Sequence, residues 1–173
     1  LGGSADIDEA HAIAVNLAGE SVICGRTLSS NFPVINALDP FYSSGDGFVT
    51  KFGPGGSPIF STFLGGSAGD VAYNISLAGE STVGIAVVGS TSSSDFPTAG
   101  AVLPIDNVAN GGGDAFIVLL TATGNVLNFG SYLGGAALDI AYDVAIRCAP
   151  PCLTYNYSVY IVGSTLSDNF PVL

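Results

Sequence analysis

Three observations predict an all-β fold. A Leu-Gly-Gly motif opens at Leu1, Leu64 and Leu133, and each copy is followed by an Asp with an Ala two positions on: Asp8/Ala10, Asp70/Ala72 and Asp139/Ala141. Between the copies lie short apolar stretches that alternate large with small residues, the period-2 signature of strands, bounded by Gly, Asn, Ser and Pro. The composition agrees: 24 Gly, 9 Pro, 48% hydrophobic residues and only 10% charged ones suit many short strands with tight turns. A chain that repeats one short unit folds as an array of that unit. The units here are 1–63, 64–132 and an incomplete 133–173.

Each element follows from its residues. Ala10-His11-Ala12-Ile13-Ala14-Val15 alternates in size and predicts a first strand, with His11, Ile13 and Val15 on one face and the alanines on the other. Asn16-Leu17-Ala18-Gly19-Glu20 supplies turn residues, and Ser21-Val22-Ile23-Cys24-Gly25 returns as a second strand. Pro33 ends the exit segment from Arg26, because it has no N–H to give to a ladder. Gly45-Asp46-Gly47 opens a third strand, Phe48 to Phe52, and Gly53-Pro54-Gly55-Gly56 turns it into a fourth, Ile59 to Phe63. The second unit repeats this order with Tyr73 to Leu77, Gly84 to Gly89, Gly113 to Leu120 and Val126 to Tyr132. The third supplies only Tyr142 to Ile146 and Val159 to Gly163 before Asn169-Phe170-Pro171. The loop of the first hairpin lengthens with each copy, which marks an exposed, variable face. Four short antiparallel strands per unit is the content of a propeller blade, so the expected architecture is a β-propeller-type array of about two and a half four-stranded blades.

Charge and hydropathy narrow the function. Three basic residues (Arg26, Lys51, Arg147) against fourteen acidic ones give a net charge of −11, the wrong sign for a phosphate backbone or an anionic membrane surface. Gly, Ser, Asp or Asn interrupts every apolar stretch before it reaches the roughly 18 residues that a helix needs to cross a bilayer. The chain begins at Leu, has no Met and shows no signal peptide, which reads as a processed product or an excerpt of a longer precursor. No catalytic constellation is present: the single His11 aligns with Tyr73 and Tyr142 and reads as a packing residue, and no nucleophile elbow accompanies the many serines.

The candidate sites are few. Cys148 and Cys152 flank Ala-Pro-Pro, and a disulfide between them would close a very short loop, contributing roughly 2 kcal/mol through chain entropy in an oxidising compartment; two free thiols are the other reading. Cys24 stands where the other copies have Val88 and Val162 and reads as a small core residue. The acidic turns invite calcium, with Asp6, Asp8 and Glu9 the nearest approach to a ligand spacing and the Gly-Asp pairs at Asp46 and Asp114 further candidates. The recurrence of Asp8, Asp70 and Asp139 reads better as turn capping, side-chain oxygen to backbone N–H. Two sequons, Asn74-Ile75-Ser76 and Asn156-Tyr157-Ser158, are candidate glycosylation sites. Asn156 stands in the longest loop, among Tyr155, Tyr157 and Tyr160, whereas Asn74 is expected mid-strand on the small-residue face.

The order Asp70, Ala72, Ile75, then Val87-Val88-Gly89-Ser90-Thr91, Asp95-Phe96-Pro97, Gly113-Asp114-Ala115-Phe116 and Tyr132-Leu133-Gly134-Gly135 resembles the β-propeller repeat family called SBBP, over essentially the whole chain. The resemblance implies a bacterial or archaeal secreted or cell-surface protein in which such repeats serve as scaffold or adhesive parts, without an established enzymatic role, and it supplies no catalytic residues. About two and a half blades cannot close a ring. The expectation is therefore a non-enzymatic extracellular structural protein that self-associates through its terminal blade faces and edges into a filament or layer, so that deleting residues 1 to 27 abolishes assembly. A binding module of a larger adhesin, recognising glycan or protein with or without calcium, is the alternative.

Overall fold

A computed structural model describes residues 1–4, 7–78, 83–99, 109–148 and 157–171. Among them are ten strands and no helix: β1 (Asp8–Val15), β2 (Ser21–Thr27), β3 (Asp46–Phe52), β4 (Pro58–Leu64), β5 (Asp70–Ala78), β6 (Val83–Thr91), β7 (Asp114–Leu120), β8 (Leu127–Leu133), β9 (Asp139–Cys148) and β10 (Tyr157–Thr165). They form a four-stranded sheet β1-β2-β3-β4, a second four-stranded sheet β5-β6-β7-β8 and a two-stranded sheet β9-β10. Every pairing within them is antiparallel. The repeat of the sequence is thus a repeat of sheets. The first strand of each sheet begins earlier than the alternation suggested, at the recurring Asp.

The three sheets are layered, with the second in the middle. Its Ile75, Ile85, Val87, Val118 and Leu120 join Val22, Cys24, Val49 and Phe60 of the first sheet in one core, with Ala12 and Ala14 packed against it. Its opposite face, through Ala86, Val88, Ala115 and Ile117, meets Ala141 and Val144 of the third, with Ile146, Val159 and Ile161 alongside. Small alanines on β1 let β5 approach closely, as expected where one sheet stacks on the next. Cys24 is a buried free thiol inside the first interface, and burial pushes its pKa up to about 12.

One expectation is corrected. His11, Tyr73 and Tyr142 do not simply share a face with the large residues that follow them, because each is the extra residue of a β-bulge. Ala10 opposes Gly25 but Ala12 opposes Cys24. The register slips in the same way after Ala72, and Ala141 opposes Gly163 while Asp143 opposes Val162. Since adjacent residues on the partner strand point to opposite faces, Ala10 and Ala12 lie on opposite sides of the sheet. The bulge brings the backbone close to the neighbouring strand. A side chain at Gly25, Gly89 or Gly163 would collide with the carbonyl oxygen of Glu9, Val71 or Ile140. Only glycine fits there, which is why it recurs.

The bulged rings form a ladder across the layers. His11 stacks on Tyr73 at 5.5 Å between ring centroids, Tyr73 meets Tyr142 at 6.0 Å, and His11 Nδ1 lies 2.9 Å from the carbonyl oxygen of Ala72.

Candidate functional site

The repeated motifs meet at three equivalent corners, where the chain enters each sheet. In each, the Asp that starts the first strand turns back to cap the Gly-Gly turn. Gly3 N–H donates to Asp8 Oδ2 at 2.6 Å, Gly66 N–H to Asp70 Oδ2 at 2.8 Å and Gly135 N–H to Asp139 Oδ2 at 2.8 Å. A serine hydroxyl donates to the same oxygen, from Ser29, Ser93 and Ser167. Those serines are held by the threonine two residues earlier, whose Oγ1 accepts their N–H at 3.0 Å in all three copies. An Asx side chain two residues later completes the lock: Asn31, Asp95 and Asn169 accept from the backbone N–H of Ser4, Ser67 and Ala136. A Cβ on Gly66 or Gly135 would stand 2.7 Å from the β-carbon of Ser93 or Ser167, so the second glycine of the motif is fixed by packing.

The carboxyl groups around these corners sit in different electrostatic surroundings. At Asp8, burial pulls the pKa up, but hydrogen bonds from Thr27, Gly3 and Ser29 outweigh it and hold the carboxyl below its ordinary value. Asp95 is held low by the two hydrogen bonds from Ser67. Asp46 behaves oppositely. It is fully buried and its Oδ1 accepts no hydrogen bond. A Cβ on Gly65 would lie 2.5 Å from that oxygen and 2.6 Å from Asp70 Oδ2, so two carboxyl groups converge on one glycine where the first sheet meets the second. Burial, with smaller repulsion from Asp70 and Asp39, pushes Asp46 up to about 6. Burial raises Asp70 as well.

The candidates read from the sequence are dispersed. Asp6 lies outside the described residues. Both carboxylate oxygens of Asp8 already accept hydrogen bonds from Gly3, Ser29 and Thr27. Glu9 is exposed, 3.6 Å from His11 Nε2. No group of three or more His, Cys, Asp or Glu that could hold a metal ion occurs among the described residues. Asn74 sits on the face of the second sheet that β9 covers, half-buried, with its Oδ1 accepting from Ile75 N–H at 2.6 Å. Cys152, Asn156 and the side chain of Cys148 lie outside the described residues, and no disulfide is seen among those described. Lys51 is spent internally: its ammonium donates to Glu20 at 2.8 Å and to the Ala122 carbonyl in the turn between β7 and β8 at 3.2 Å.

The surface with chemistry to offer is instead the pair of open sheet faces. On the first sheet Ile13 and Val15 are 62% and 61% exposed; on the third, Tyr160 and Val162 are 60% and 63% exposed. Ile13 and Val15 occupy the positions of Ile75 and Leu77, which pack into the first interface. Tyr160 and Val162 occupy those of Ala86 and Val88, which are buried in the second. Each open face therefore lacks the neighbour that its counterpart in the middle sheet has. No helix of the described structure is long and apolar enough to cross a membrane. No known family's sequence model matches the chain, and no curated protein is similar to it.

Proposed function

We propose that this chain is an extracellular structural protein, an array of propeller-type blades that self-associates through its end faces and edges into a filament or layer at the cell surface, without enzymatic activity. One observation carries the reading. The residues left exposed at the two ends stand at the same repeat positions as those that glue the sheets together inside. A face of the first kind packs on a face of the second kind twice within the molecule, and the unlike ends offer the same match once more. A contact between unlike ends propagates rather than closing a dimer. Only 10% of the residues are charged, so few charges need be desolvated in such a contact. The SBBP-like order of motifs in the sequence implies the blade geometry and the setting outside the cell.

Negative-stain microscopy of the chain tests this directly, together with Ile13→Asp. Because β2 is an inner strand of the first sheet, deleting residues 1 to 27 would dismantle that sheet, whereas Ile13 is exposed and its substitution leaves the fold intact. Filaments or sheets from the parent chain, and discrete particles from Ile13→Asp, are the expected outcome. Discrete particles from both would overturn the self-assembly reading.

A further inference from the structure

Among the described residues the third sheet differs from the others in that its second strand is paired on one side only. Strands β2 and β6 are paired on both sides, but β10 pairs only with β9. Beside that edge is an open cleft of about 220 Å³ whose lining includes Ala115, Leu133, Ala141, Ile161, Gly163 and Phe170. The first two sheets show what belongs there. In the first, Phe32 lies against Phe48 at 4.6 Å between centroids and against Phe63 at 6.1 Å; in the second, Phe96 lies against Phe116 at 4.4 Å and Tyr132 at 6.1 Å. Phe116 is seated over Gly89, within 2.8 Å of where a Cβ would be. Phe32 and Phe96 are each 3% exposed. Phe170 is the third member of this series and Gly163 the third seat, yet Phe170 remains half-buried and Gly163 exposed.

We infer that the β10 edge and this cleft form a docking site for a β-hairpin of the same repeat type, one whose first strand carries Gly-Asp-x-Phe. The register follows from the two filled examples. Thr27, Gly25 and Ile23 oppose Asp46, Phe48 and Thr50; Thr91, Gly89 and Val87 oppose Asp114, Phe116 and Val118. In the incoming hairpin the Asp therefore opposes Thr165, the Phe opposes Gly163 with its ring in the cleft against Phe170, and the residue two further on opposes Ile161. Backbone hydrogen bonds along β10 supply affinity and the ring in the cleft supplies selectivity, the division of labour of strand addition at a sheet edge. The inference rests on the blade reading, since it treats β9 and β10 as half of a four-stranded sheet.

The test is a synthetic peptide with the sequence of residues 113–133, titrated into the chain and followed by calorimetry and amide hydrogen exchange. Saturable binding at one peptide per chain is expected, with at least tenfold slower exchange of the β10 amides. A peptide carrying Phe116→Ala, and the chain variant Phe170→Ala with the original peptide, are each expected to bind at least tenfold more weakly. The first leaves the chain untouched, so its effect cannot come from misfolding. A peptide of residues 8–27, which lacks Gly-Asp-x-Phe, is expected not to bind. No saturable binding, or equal binding by all three peptides, would overturn the site. Assembly of the chain without hairpin binding would sink this inference and spare the proposed function, and hairpin binding by a chain that never assembles would do the reverse.

Discussion

Ile13 and Ile75 occupy the same place in two sheets and live in different surroundings. Ile75 is 5% exposed, in the core between the first and second sheets, and Ile13 is 62% exposed on the outer face. Their own strands differ little: both follow an Asp corner and a bulge, and both pair with the strand that returns. The difference lies in what covers them. The apolar character of Ile13 contributes little to the stability of an isolated chain, and it acquires value only when another sheet arrives. The comparison teaches that the end sheets keep the inward-facing pattern of the middle one.

The largest expected effect tests that contrast. Ile75→Ala removes three methyl-scale groups from a packed core and is expected to cost about 3 kcal/mol. Ile13→Ala is expected to change the stability of the dispersed chain by less than about 0.5 kcal/mol, as surface substitutions do. Equilibrium denaturation of the two variants measures both. Equal costs would mean that the outer face of the first sheet is already covered in the isolated chain.

Much of this contrast was legible in the sequence and part was not. The strands and their order could be read because period-2 alternation and turn residues act locally. The bulge could not, since that reading assumes unbroken alternation and takes His11, Ile13 and Val15 as one face. Its signal was on the opposite strand, in the recurrence of Gly25, Gly89 and Gly163 where a side chain cannot fit. The corner was half legible. Asp8, Asp70 and Asp139 stand out, but their partners lie in the spacing Thr-x-Ser-x-Asx: Thr27/Ser29/Asn31, Thr91/Ser93/Asp95 and Thr165/Ser167/Asn169. That segment reads as a mere exit from the sheet until the fold brings it back against the Gly-Gly turn. The convergence of Asp46 and Asp70 was not legible at all, because it joins two different sheets.

That junction yields the second prediction, since there the carboxyl groups of Asp46 and Asp70 meet across two sheets. Asp46 is raised to about 6 in the folded chain from 3.8, so the folded state binds the proton more tightly than the unfolded one. Its contribution to stability is fully present below about pH 4 and is lost as pH rises through 6. Asp70 is raised too and acts in the same direction. Asp8 and Asp95 are lowered, so their contribution is lost as pH falls through the acid range below their ordinary values. Stability is therefore expected to climb from pH 7 to about pH 4 and then to decline. Asp46→Asn places a donor where the unpaired Oδ1 stands and is expected to stabilise the chain at pH 7.5 by about 2 kcal/mol. It should also flatten the climb between pH 6 and 4. Thermal melts across that range decide it; an unchanged pH profile in Asp46→Asn would show that the junction carries no proton.

The smallest expected effect sharpens the comparison at the aromatic cluster of the two complete sheets. Tyr132 in the second sheet stands where the first has Phe63, and its hydroxyl is inserted into a turn. In the first sheet Phe32 N–H donates directly to Ser29 O at 3.1 Å, and in the third Phe170 N–H donates to Ser167 O at 3.3 Å. In the second, Phe96 N–H donates to the Tyr132 hydroxyl at 2.9 Å, and that hydroxyl donates to Ser93 O at 2.9 Å. Removing a buried hydroxyl with two partners ordinarily costs about 1–3 kcal/mol, because those partners are left unpaired. Here the first and third sheets show that the same turn closes without it. Tyr132→Phe is therefore expected to cost less than about 1 kcal/mol, with Phe96 N–H turning to Ser93 O as Phe32 N–H does to Ser29 O. A cost above about 2 kcal/mol in denaturant unfolding would mean that the covered sheet cannot relax as its outer counterparts do. The packing that buries the middle sheet would then also fix its turns.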